Sequence, residues 1–158
     1  MIDGITDTFA SHDFLRQLSE RALLRLVSGA TPFTAKPGQY LARQGTPSHA
    51  FFLIQSGNVA LGTSGPKGDT ITIQTVGPGE SVGWSWLVPP YRWQFDCRAV
   101  DEVKGLKFDA EWLRAECEQD CELGYQLLKQ LAKVLAERLV MTRLRLVQTV
   151  GAAAQKRA

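Results

Sequence analysis

The 158-residue chain predicts a mainly β fold flanked by helices, and three observations carry that expectation. Between about Ala30 and Phe108 the sequence breaks into short β-prone runs separated by Gly and Pro, the mark of a small antiparallel barrel or sandwich. Before and after that stretch the apolar residues switch to helical spacing. A composition of 44% hydrophobic and 22% charged residues suits a single globular domain with a real core, spanning 1–158.

The first element is helical. In "SHDFLRQLSERALLRLVS", residues 11–28, Phe14, Leu15, Leu18, Leu23, Leu26 and Val27 stand at helical spacing. Ser19 ahead of Glu20 reads as a fresh N-cap, so two short helices are expected. The β-region, 30–108, contains "YLAR", "AFFLIQ", "NVALGTS", "TITIQTV", "QFDCRAV" and "VKGLKF". Turn signals divide them at Pro37-Gly38, Ser56-Gly57, Gly65-Pro66, Gly68-Asp69 and Pro78-Gly79. Residues 109–150 return to helix: Asp109 caps "AEWLRAECEQ", and a longer helix runs from about Glu122 to Val150. On that helix Leu127, Leu128, Leu131, Val134, Leu135, Leu139, Met141 and Leu146 span about half the circumference, with Val140, Leu144 and Val147 extending it. One contact with a barrel covers a narrower stripe, so a second copy of the helix is expected on the remainder, making the protein a homodimer.

Composition excludes several classes. A net charge of +2 is too small to argue for nucleic acid. No apolar run approaches the roughly 20 residues of a membrane span, and the N-terminus lacks a signal-peptide pattern. Three cysteines make no disulfide framework, so a cytoplasmic protein with free thiols is expected. Cys117 and Cys121, four residues apart, have no histidine at ligand spacing and read as small hydrophobes tucked under helices; Cys97 reads as core. His12 lies in a polar N-terminal segment. No G-x-S-x-G, Walker A or H-E-x-x-H pattern occurs, so no enzyme is expected.

The ordered set "FTAKPGQYLARQGTPSHAFFLIQSGNVAL", then "ITIQTVGPGESVGW", then a strand, a short helix and a long helix resembles the cyclic-nucleotide-binding effector domain of Crp/Fnr-type regulators. Gly38, Gly45, Gly57, Gly79 and Gly83 stand where that family turns. The resemblance runs from about Phe14 to Val150. It implies a double-stranded β-helix (jelly-roll-like β-roll), a phosphate-binding cassette, and a C-terminal dimerisation helix. It further implies a cyclic nucleotide or another small anionic ligand, and signalling through the last helices. A DNA-binding module of the family follows the long helix; only "GAAAQKRA" does here, so no direct DNA binding by this chain is expected.

The cassette departs from the family. Gly79 and Gly83 permit close backbone approach, and "VGWSWLV", with Ser85 and Trp86, is expected to open a short helix ended by Pro89-Pro90. Relatives that bind cyclic nucleotides hold the ribose with a Glu directly after the second glycine, where this chain has Trp84. Their phosphate-binding Arg and the following Ser correspond to Trp93 and Gln94, with Arg92 one residue early. An indole offers a donor only and cannot accept a ribose hydroxyl. Two readings stand open: Trp84, Trp86 and Trp93 fill a vestigial pocket, or they line a reshaped one in which Arg92 meets an anion. Thr142 matches the residue that reaches the purine across the family's dimer seam. Three functions follow in turn: a stand-alone sensor of a small anionic or nucleotide-like ligand, a ligand-free module for a partner protein, or the effector half of a transcription regulator.

Overall fold

β-strands of alternating pattern account for the centre of the molecule. The computed structural model describes Asp7, Phe9 and residues 11–157. Its strands are β1 (Thr31–Ala35), β2 (Tyr40–Ala42), β3 (Ala50–Ser56), β4 (Val59–Ser64), β5 (Thr70–Val76), β6 (Ser81–Val82), β7 (Asp96–Ala99) and β8 (Val103–Asp109). They form two four-stranded sheets, in the orders β1-β8-β3-β6 and β2-β7-β4-β5. Every pairing is antiparallel, as expected of a jelly-roll-like β-roll. Helices α1 (Asp13–Arg16) and α2 (Glu20–Val27) precede the roll, and α3 (Ala110–Gln119) and α4 (Cys121–Arg157) follow it.

The two-residue period of β3 divides the interior. Phe52 and Ile54 point between the sheets, beside Val59, Val76, Val82, Trp93 and Val103. Phe51 and Leu53 point the other way, onto a second core of Phe14, Leu15, Leu26, Trp86, Leu113, Leu123, Leu127 and Leu131 from the helices. Both faces being covered, "AFFLI" has no polar side, and residues 50–54 are all buried.

The helix ends follow their caps. Ser19 Oγ accepts from the Ala22 N–H at 3.2 Å, and an Asp109 carboxylate oxygen accepts from the Trp112 N–H at 2.8 Å. Helix α4 continues seven residues past the expected end, to Arg157, because Ala152, Ala153 and Ala154 favour helix over the loose tail expected there. At 37 residues it is about 55 Å long, at 1.5 Å per residue. Only Leu123, Leu127 and Leu131 are buried along it. Farther along, Arg138 donates to the Ser81 carbonyl, and Arg145 to the carbonyl of Ile73, the extra residue of a bulge in β5.

One small expectation needs correcting. Cys121 is exposed rather than tucked beneath a helix, since the start of α4 turns that position to solvent; Cys117 is half-buried, and burial pushes its thiol up to about 11. His12, in the polar N-terminal segment, is buried, 3% exposed. Its Nδ1 accepts from the Phe14 N–H at 3.2 Å, capping α1, and the proton on Nε2 points to the Glu80 carbonyl at 3.3 Å. Burial lowers its pKa from 6.5, outweighing the Glu80 hydrogen bond and the charge of Asp13. The unfolded chain therefore binds the proton more readily. This contribution to stability is full above pH 6.5 and is lost as pH falls below it. Thermal melts from pH 7.5 to 5.5 should show that loss, and His12→Asn, a neutral cap, should remove that component.

Candidate functional site

The segment after β5 begins with a turn clamped to β3. Gly79, at φ +85°, donates its N–H to the Ile54 carbonyl at 2.9 Å, and the Ile54 N–H returns a bond to the Glu80 carbonyl at 3.0 Å. Within the turn the Glu80 N–H meets the Gly77 carbonyl at 3.1 Å, and the Glu80 carboxylate takes the Gly77 N–H at 2.7 Å. The N–H groups of Gly77, Gly79 and Glu80 are thus engaged within the protein rather than presented to an anion. After β6 comes Gly83, at φ +97°. The expected short helix does not form: residues 85–90 run through turns and a bend. Pro89 and Pro90 withhold the N–H groups that a second helical turn requires.

Gly83 does allow a close approach, and the group that approaches is an indole of the same chain. A Cβ at Gly83 would stand 2.7 Å from Cη2 of Trp93 and 3.3 Å from the Ala50 carbonyl oxygen. Trp93 is 3% exposed and lies over Phe52, ring centroids 6.3 Å apart and planes 30° apart. Its Nε1 donates to His49 Nδ1 at 3.3 Å. Around it Gly83, Trp84, Ser85, Gln94, Leu61, Phe95, Cys97 and Arg138 enclose a void of about 10 Å³. That is room for about one water.

Of the remaining residues singled out in the sequence, all but Gln94 stand apart from this void. Trp86, fully buried, belongs to the helical core against Phe51 at 5.7 Å, and its carbonyl accepts from Arg114 of α3 at 2.9 Å. Arg92 is exposed and donates to the Gly45 carbonyl at 2.7 Å, held by a bridge to Pro47 that turns it away from Gly83. Gln94 is exposed at the void's rim and donates to the Arg92 carbonyl at 3.1 Å. Thr142 is exposed, its hydroxyl donating to the Arg138 carbonyl one turn back at 2.8 Å. Gly79 lies close against Asp13, and both line a separate open groove of about 420 Å³ between α1, the turn and α4. Arg16, Lys133 and Arg138 are balanced there by Asp13, Glu80 and Glu137, so the groove does not select for anions.

Sequence reasoning passed over Arg138. It continues the inward row Leu127, Leu131, Val134, and a charge on an apolar face was a readable signal. Burial lowers its pKa, opposed by the nearby Glu80 carboxylate, yet the guanidinium remains charged. Burial also pushes the Cys97 thiol up to about 12, so it is an inert neighbour rather than a nucleophile.

A family model for the cyclic nucleotide-binding domain matches residues 32–120. The chain belongs to that family. This cyclic nucleotide-binding domain is 26% identical over 114 residues to the CRP-like cAMP-activated global transcriptional regulator of Mycobacterium tuberculosis, a match that covers 72% of the chain. It spans about half the length of that relative, 51%. In fold it resembles a cyclic nucleotide-binding domain from Methylobacillus flagellatus, with a TM-score of 0.78, 20% identity, and 94% and 83% of the two chains covered. It also resembles the sensor domain of the transcriptional regulator DNR from Pseudomonas aeruginosa, with a TM-score of 0.69, 21% identity, and 87% and 93% covered. No helix among the described residues is long and apolar enough to cross a membrane.

Little free space is left beside Trp93. Small-molecule pockets hold roughly 300–1,000 Å³, against the void of about 10 Å³ beside Trp93. The indole fills the space between Gly83 and Phe52.

Proposed function

We propose that this cyclic nucleotide-binding domain acts as a ligand-independent regulatory module, a homodimer that engages a partner protein without catalysis of its own. Of the two readings of its tryptophans, the filled pocket has the better support, and the contact of the Trp93 ring with the Gly83 backbone carries it. In this reading the indole occupies the ligand's place permanently. Arg138 then ties α4 to the cassette strand at Ser81, holding the long helix in one position with no small molecule required.

The homodimer rests on α4. Leu128, Ala132, Leu135, Leu139, Thr142 and Leu146 recur at alternating intervals of four and three residues, a coiled-coil row. Leu128, Leu139 and Leu146 are more than half exposed in the single chain.

Isothermal titration with cyclic AMP and cyclic GMP tests the ligand reading, and no saturable heat tighter than about 10 µM is expected. Tight binding by either nucleotide would refute it and favour a sensor whose indole swings aside. Arg92→Ala and Arg138→Gln would then show which cation meets the phosphate.

A further inference from the structure

The outer face of the sheet β2-β7-β4-β5 carries a groove that neither the cassette nor α4 lines. In β4, Val59 and Leu61 are buried between the sheets, so the two-residue period turns Ala60 and Gly62 outward. In β7 the same alternation buries Cys97 and Ala99 and turns Arg98 out. Ala60 and Gly62 are too small to fill the space above their strand, which leaves an open groove of about 330 Å³. On one side of it stand Tyr40 and Arg98 from β2 and β7, on the other Thr70 and Thr72 from β5. That volume suits a small molecule.

Charge and hydrogen bonding say what the groove can hold. The Arg98 guanidinium is fixed at one end, its Nε donating to the Gly38 carbonyl at 3.2 Å and its Cζ 5.8 Å from the centre of the Tyr40 ring. No carboxylate among the described residues forms an ion pair with it. Asp96, the acid in the lining, is spent elsewhere: its Oδ1 accepts from the Gln44 N–H at 2.8 Å and lies 3.4 Å from the Arg43 guanidinium, which neutralises it. Beyond Val100, Asp101 bonds to Asn58 and Glu102 pairs with Lys104. In the turn before β5, Lys67 and Asp69 offset each other. The groove is left with one positive charge to neutralise. The hydroxyls of Tyr40, Thr70 and Thr72 make no hydrogen bond within the described residues.

We propose that this groove binds a small hydroxylated carboxylic acid, of the hydroxy-acid or sugar-acid class. Its carboxylate takes the terminal N–H groups of Arg98, which Gly38 and Tyr40 hold in place. Its hydroxyls meet those of Thr70 and Thr72, and its C–H face lies on Ala60 and Gly62. One unneutralised cation matches one negative charge, which selects a monocarboxylate over a doubly charged phosphate. No lining residue belongs to the cassette, so the site stands whether or not the cassette takes a nucleotide.

The full chain, labelled with nitrogen-15, is titrated with three compounds while its amide resonances are followed. They are D-gluconate, D-glucitol, in which an alcohol replaces the carboxylate, and acetate, which keeps the charge without the hydroxyls. Gluconate is expected to shift the amides of Ala60, Gly62, Thr70 and Thr72 saturably, and to bind at least about tenfold more tightly than glucitol or acetate. Arg98→Gln should lower gluconate binding to the glucitol level. Ala60→Leu fills the floor and leaves the charge, and it should remove gluconate binding as well. Should one variant fail to fold, the other decides. Absence of saturable shifts at these amides overturns the proposal, as does equal binding of gluconate with either glucitol or acetate. Gluconate binding at full strength in a folded Arg98→Gln overturns it too. Inorganic phosphate bound there as tightly as gluconate assigns the cation to phosphate and overturns the carboxylic acid.

Discussion

Trp93→Ala is expected to lower the free energy of unfolding by about 3–5 kcal/mol, the range for removing a buried aromatic side chain. The ring is almost wholly enclosed, stacks on Phe52 and abuts the Gly83 backbone, so its loss leaves a hole between two sheets. Sheets hydrogen-bonded along β3, β4 and β7 collapse little into such a space. His49 Nδ1 also loses its donor, at a rim where water can replace it. Urea unfolding measures the change, and added indole should restore part of the lost midpoint by refilling the hole. A loss below about 1 kcal/mol would mean that the ring is not a structural filler and would undercut the filled-pocket reading.

Leu139→Glu together with Leu146→Glu is expected to dissociate the homodimer. Each substitution places a carboxylate opposite its own copy across a two-fold axis, inside a seam that is otherwise apolar. A weakening of at least about 4 kcal/mol, roughly a thousandfold, follows from burying such like charges. Light scattering at micromolar concentration should then report a monomer with unchanged β-sheet circular dichroism, because both positions are exposed in the single chain. A wild type already monomeric at that concentration would refute the seam.

The β-strands were readable because their signals are local. Gly38, Gly57 and Gly79 mark turns that need positive φ, and runs such as "TITIQTV" became strands with the bounds they show in the sequence. Ser19 and Asp109 announced helix starts for the same reason, since a cap acts within three residues. The helix expected after Gly83 failed because the two prolines outweigh the favourable residues before them. The length of α4 was underestimated because a run of alanines beside Gly151 gives little hydrophobic period to read.

By itself the sequence determined the family, the order of elements, and the missing carboxylate at Trp84, since each is written in residue type and spacing. Which way the three tryptophans face was decided by tertiary structure alone. Trp84, Trp86 and Trp93 lie within ten residues of one another, yet Trp86 enters the helical core and Trp93 the space between the sheets. A turn of irregular backbone has no period to assign its side chains to a face, so their directions depend on what the distant strands leave open. The same holds for Arg92 and Arg138. A bridge to Pro47 carries the nearby arginine out to solvent, while the packing of α4 carries the one 46 residues later into the cassette.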